Sequence, residues 1–161
     1  MHRLGRLVLA ALALTMAIPA GALTLGAGVL LDPGLREAFG RLGLVGLFAG
    51  LSDLAQGLPP DMAAMAILVL MQALGVLLIL PPALAALIGE TLGLRSPFWY
   101  GGATGTLTAL LPWLARGGPP HPGPALAAEA HLSAILLAAG LASGLVYWLI
   151  AGRSAGASAR V

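Results

Sequence analysis

Charged side chains divide this sequence into long apolar runs. No Asp, Glu, Lys or Arg stands between Leu7 and Leu31, between Met62 and Ile88, or between His131 and Ala151. A fourth uncharged stretch, Pro97 to Ala115, is richer in Gly and Thr. A helix of about 20 apolar residues crosses a hydrocarbon core of about 30 Å. The pattern therefore predicts an all-α integral membrane protein, a four-helix transmembrane bundle. The spans fall at about residues 7–31, 62–90, 97–115 and 127–152. They form a single membrane domain that takes up most of residues 1–161.

Between the first two spans the pattern changes. Asp32-Pro33-Gly34 ends the first run and also reads as a helix start, with Asp32 as N-cap and Pro33 at the first helical position. From Leu35 to Gln56, Leu35, Phe39, Leu42, Leu51 and Leu54 recur near helical spacing against Arg36, Glu37, Arg41, Asp53 and Gln56. The uncharged centre, Leu42 to Leu51, covers only about 15 Å as a helix, too short to cross. Residues 33–56 are therefore predicted as an amphipathic helix lying in the membrane interface. A re-entrant hairpin is the alternative.

Several residues punctuate the spans. Pro81-Pro82 lies inside the second span and predicts a kink or break there. Pro19 in the first span is tolerable at membrane depth, where neighbouring groups satisfy the freed carbonyl. Phe98-Trp99-Tyr100 and Trp113 flank the third span, and Tyr147-Trp148 closes the fourth, as aromatic belts do. Arg3, Arg6, Arg153 and Arg160 bias both ends of the sequence towards the cytoplasm, which an even number of spans satisfies. Residues 1–22 also fit a cleavable signal peptide, with Ala20-Gly21-Ala22 as the cleavage motif. That reading leaves three spans and the same orientation of the far end.

Composition narrows the chemistry. Charged residues make up 9% of the sequence, against about 25% in soluble domains. All eight basic residues are Arg, and none cluster into a surface that could track a phosphate backbone, so nucleic acid is not an expected partner. The sequence contains no Cys, Lys or Asn. Thiolate ligation, thiol nucleophiles and Schiff-base chemistry are thereby excluded. No nucleophile, base and orienting group can be assembled, and no cofactor is predicted. Glu129, His131 and His121 are the nearest approach to a metal-ligand set, but their spacing matches no familiar site. Glu129 reads better as an acid at a helix start, facing the macrodipole.

Four polar residues are candidates for a transport path. Glu90 follows the Pro-rich part of the second span; it is either a buried proton carrier or the end of the helix, paired with Arg95. Gln72 lies inside the same span, either lining a path or hydrogen-bonding across helices. Thr104 and Thr108 share a face of the third span, where hydroxyls either line a pore or bond back to their own helix. Gly101 with Gly105 and Gly140 with Gly144 form small-xxx-small pairs that let helices approach closely; Ala20, Thr24 and Gly28 extend the pattern into the first span.

Two segments carry a resemblance. Pro82 to Gly102 reads PALAALIGETLGLRSPFWYGG, and Gly144 to Gly156 reads GLVYWLIAGRSAG. They resemble small, uncharacterised four-span inner-membrane proteins of alphaproteobacteria. The resemblance implies a bacterial inner membrane and four spans; it transfers no catalytic or binding residue. With few polar groups in the spans, no cofactor ligands and no reactive side chains, the expectation is a non-enzymatic structural or accessory membrane protein. It associates through Gly-rich helix faces with itself, as a homo-oligomer, or with a larger membrane complex. A small transporter or channel using Glu90, Gln72 and the third-span threonines is the alternative.

Overall fold

The computed structural model describes residues 2–37, 40–41, 48, 52, 55–56, 61–118 and 126–154. Four long helices account for most of them: α1 (His2–Leu31), α2 (Asp61–Leu92), α3 (Pro97–Arg116) and α4 (Leu126–Ile150), with a 3-10 turn at Gly152–Ser154. No strand occurs among the described residues. Leu4–Leu31, Met71–Leu92 and Leu126–Ile150 are long and apolar enough to cross a membrane. The protein is thus an all-helical membrane protein with three such helices; α3 falls outside that group because Gly, Thr and Pro dilute its apolar residues.

The helices run alternately up and down. One end of the bundle gathers the start of α1, the end of α2, the start of α3 and the end of α4, joined by Arg6–Glu90 and Tyr100–Tyr147 contacts. The other end gathers the end of α1, the end of α3 and the start of α4, through Asp32–His131 and Arg116–Glu129. Helix α4 is central and packs along both α1 and α3.

Small residues set the helix spacing. Ala13, Ala17 and Gly21 repeat every four residues on α1 and are buried. A Cβ added to Gly21 would lie 3.2 Å from Ser143 Cβ and 3.3 Å from the Ala139 carbonyl oxygen of α4. The expected stripe of Ala20, Thr24 and Gly28 is therefore shifted. Gly28 does meet α4, at 2.5 Å from Ile135 Cγ2 for an added Cβ, but Ala20 and Thr24 are only half-buried. The seam between α3 and α4 is closer still. An added Cβ at Gly140 would stand 2.7 Å from Gly105 Cα, and one at Gly144 would overlap the Tyr100 carbonyl oxygen. Close backbone approach supplies dispersion contact where lipid gives no hydrophobic drive for helices to associate.

Helix ends follow local rules. Asp32 accepts the Leu35 backbone N–H at 2.9 Å through Oδ1, the N-cap expected of it. Gly117 closes α3 with φ 82°, and the Gly117 and Gly118 N–H groups donate to Leu114 and Trp113 carbonyls. In the stretch predicted as interfacial, described residues 33–37, 40–41, 48, 52 and 55 are helical, and Arg41 pairs with Glu37 at 2.5 Å; the rest of that prediction lies outside the described residues.

Of the kink or break expected at Pro81-Pro82, the break is absent. Helix α2 passes through Pro81-Pro82 without interruption from Asp61 to Leu92. The two rings remove the N–H groups that would bond the Leu77 and Leu78 carbonyls. Both prolines are buried among neighbouring helices, and packing of that kind maintains a membrane helix through proline.

Candidate functional site

The polar residues of the bundle concentrate at its two ends. At the first end, Arg6 of α1 pairs with Glu90 of α2, and both side chains are about three-quarters buried, at 26% and 23% exposure. Arg6 Nη1 also donates to the Ser154 carbonyl oxygen at 2.6 Å. One guanidinium therefore ties together the starts and ends of three helical segments. Tyr147 of α4 lines the same cleft as Glu90 and Arg6. Its ring stacks on Tyr100 at 5.5 Å between centroids, and Tyr100 donates its hydroxyl to the Leu94 carbonyl at 3.2 Å. Tyr100 and Tyr147 are 1% and 2% exposed and form the core with Ala13, Ala17, Ala86 and Ala151.

Glycine makes room for this cluster. A Cβ at Gly89 would stand 2.6 Å from the Tyr100 hydroxyl, and one at Gly152 would stand 2.8 Å from the same ring. Two tryptophans complete the end: Trp99 Nε1 donates to Ala85 O at 3.1 Å, and Trp148 Nε1 to Arg95 O at 2.7 Å. Both indoles and the Tyr100 phenol find a backbone acceptor, as amphipathic rings do at a membrane boundary.

A cleft of about 930 Å³ opens beside the ion pair, between α1 and α2. Ala10 and Ala11 face Ala83 and Ala86 across it, so short side chains leave a gap where leucines would close it. Arg6, Glu90, Thr91 and Tyr147 line its polar end; Leu7, Leu14 and Leu87 complete the apolar walls.

At the opposite end the pairs are wetter. Arg116 binds Glu129 through two nitrogens, at 2.8 and 3.3 Å, with 50% and 25% of the side chains exposed. That carboxylate raises the Arg116 guanidinium pKa above its ordinary value by accepting its hydrogen bonds. His131 Nδ1 lies 3.3 Å from Asp32 Oδ2. Glu129 and His131 thus each face an ionic partner. Among the described residues no group of three metal-ligating side chains comes together, and His121 lies outside them.

The predicted transport residues do not converge. Glu90 is about three-quarters buried at the first end. Its ion-pair partner Arg6 is 84 positions away, on another helix, which sequence spacing gives no means of finding. Gln72 is exposed on α2, about 27 Å along the helix from Glu90. Thr104 and Thr108 are buried in the α3–α4 seam. Thr108 bonds back to the Thr104 carbonyl at 2.8 Å, whereas Thr104 Oγ1 and Ser143 Oγ are buried without a partner. Gly101, Gly105, Gly140 and Gly144 all lie in that same seam, occupied within the chain. The Arg6–Glu90–Tyr147 cluster and its cleft are the features that sequence reading missed. The signal present was the pairing of alanines on two spans near a lone Glu.

Comparison with known proteins finds no matching family model, curated protein or solved structure.

Proposed function

We propose that this protein is a non-enzymatic accessory component of a bacterial cytoplasmic membrane, crossing it four times with its Arg-bearing ends inside. Helix α3 is the fourth crossing. Its 20 residues extend about 30 Å, and it carries the chain from the end of α2 at one side of the bundle to the start of α4 at the other. Described residues 33–37 and 40–41 follow α1 at the outer interface. Arg6, Arg95 and Arg153 share the inner end, in line with the positive-inside rule. The resemblance of Pro82–Gly102 and Gly144–Gly156 to four-span inner-membrane proteins agrees with this placement.

The protein acts by associating with a second copy or a larger membrane assembly. The glycine seams are occupied internally, so the association surface is the first half of α2. The observation that carries this reading is Gln72. It is exposed, among exposed Leu68, Val69, Met71 and Val76. A carboxamide on such a surface gains about 0.6 to 2 kcal/mol from a hydrogen bond to another helix. Single-molecule photobleaching in nanodiscs, together with affinity capture after mild solubilisation, tests the reading. Wild type should assemble or capture a partner, and Gln72→Leu should weaken that assembly by about 3- to 30-fold. A wild type that stays monomeric and captures nothing contradicts it.

A second reading rests on a separate observation. Glu90, Arg6 and Tyr147 meet at the mouth of a cleft, an arrangement that suits a small transporter. Liposome flux of protons or small solutes distinguishes the two readings. Flux in wild type that Glu90→Gln abolishes would reverse their order.

A further inference from the structure

We propose that the cleft between α1 and α2 holds one acyl chain of an anionic phospholipid, with the headgroup at Arg6. The inference rests on the membrane placement above but not on any protein partner. Three observations carry it.

The first is polarity. Ligand sites of about 300–1,000 Å³ are mostly apolar with a few polar groups that fix orientation. This cleft, at about 930 Å³, is walled by leucine and alanine along its length and polar at one end only. It runs from Arg6 to Leu14 on α1, about 12 Å of helix, and from Glu90 back to Ala83 on α2, about 10 Å. An amphiphile has the same gradient: a polar head at the bilayer surface and a tail running inwards. A transmembrane helix of a partner does not, because it would have to continue through the Arg6–Glu90 closure.

The second is access. Leu7, Ala11, Leu87 and Thr91 line the cleft and are exposed, so it opens sideways, where lipid tails lie. Relative to bulk lipid, selectivity must come from the head.

The third is charge. The end that holds the cleft mouth carries Arg6 and Arg153 against Glu90. Arg6 engages Glu90 and Ser154 through its two terminal nitrogens, and a guanidinium has five N–H donors. A phosphate oxygen can share the remaining donors, and the Arg153 guanidinium lies 6.0 Å from the Trp148 ring centroid on the same end. The net positive charge favours an anionic headgroup over a zwitterionic one.

Native mass spectrometry of the purified, delipidated protein tests the assignment, with phosphatidylglycerol, phosphatidylcholine and inorganic phosphate as probes. Wild type should retain one phosphatidylglycerol at least about tenfold more tightly than phosphatidylcholine, and inorganic phosphate should not displace it. Ala11→Trp and Leu87→Trp fill the cleft from exposed positions that the core does not use. Each should lower retention at least about tenfold, whereas Leu23→Trp, exposed elsewhere on α1, should not. Arg6→Gln should erase the preference between the two lipids while leaving tail-dependent retention. Unchanged retention in both cleft-filling variants overturns the assignment, as does displacement by inorganic phosphate alone. Disulfide-linked dimers of Leu87→Cys in vesicles would show that a second copy fills the cleft, and would overturn it too. A chain that fails to enter vesicles at all overturns the membrane placement instead.

Discussion

The two ends of the bundle are built differently. At the Arg6 end all four helices meet: an ion pair joins α1 to α2, Trp99 bonds α3 to α2, and two stacked tyrosines join α3 to α4. At the opposite end Arg116–Glu129 joins α3 to α4, and His131 of α4 meets Asp32 just past α1. No described pair there involves α2. Exposure follows the same division: Met65, Leu68, Val69, Met71, Gln72 and Ala73 on α2 are exposed, whereas Pro81, Pro82, Ala85, Ala86 and Gly89 are buried. Helix α2 is therefore fastened at one end and open at the other. That asymmetry places the cleft beside the fastened end and the exposed Gln72 on the open half.

The sharpest way to break the comparison is through the seam that holds the rigid part together. Gly144→Leu should destabilise the fold by about 3 kcal/mol or more, because the side chain has no space beside the Tyr100 backbone. Gly102→Ala on the same helix pair has nothing within 4 Å of the new methyl and should cost less than about 0.5 kcal/mol. Denaturant-induced loss of helicity in mixed micelles measures both. Next in size is Arg6→Gln, which leaves Glu90 three-quarters buried beside a neutral group. We expect a loss of about 1–3 kcal/mol, largely recovered in the Arg6→Gln/Glu90→Gln double variant. The same assay should show less than about 1 kcal/mol for Arg116→Gln, whose own side chain is half exposed to water. Equal losses for Arg6→Gln and Arg116→Gln would remove the distinction between the ends. The smallest effect on stability is expected from Gln72→Leu, under about 0.5 kcal/mol, because the exposed side chain supports no core residue.

Much of this architecture was legible as pattern. Long uncharged runs marked the helices, Asp32 before Pro33 marked a cap, and the spacing of Thr104 and Thr108 put both on one face. What escaped the pattern has physical causes. Helix α1 is rich in Ala and Gly on every side, so periodicity did not choose between the Ala13–Ala17–Gly21 face and the Ala20–Thr24–Gly28 face. Proline rules drawn from water overstated the interruption at Pro81-Pro82, because packed neighbours maintain the helix. The partner of Glu90 depended on which helix start lies beside which helix end, and that is set by tertiary packing. The cleft arose from alanines on two helices far apart in sequence, a coincidence visible only once α1 and α2 stand side by side.

The central claim is that α3 crosses the membrane, so that both fastened helix ends lie on one side. The protein has no cysteine, so single cysteines report without background. Labelling of intact cells with an impermeant maleimide measures the claim directly, using Ser96→Cys and Ser154→Cys at one end, and Gly34→Cys and Gly118→Cys at the other. We predict that Gly34→Cys and Gly118→Cys label from outside and that Ser96→Cys and Ser154→Cys react only after lysis. Ser96→Cys and Gly118→Cys labelling from the same side would contradict the account.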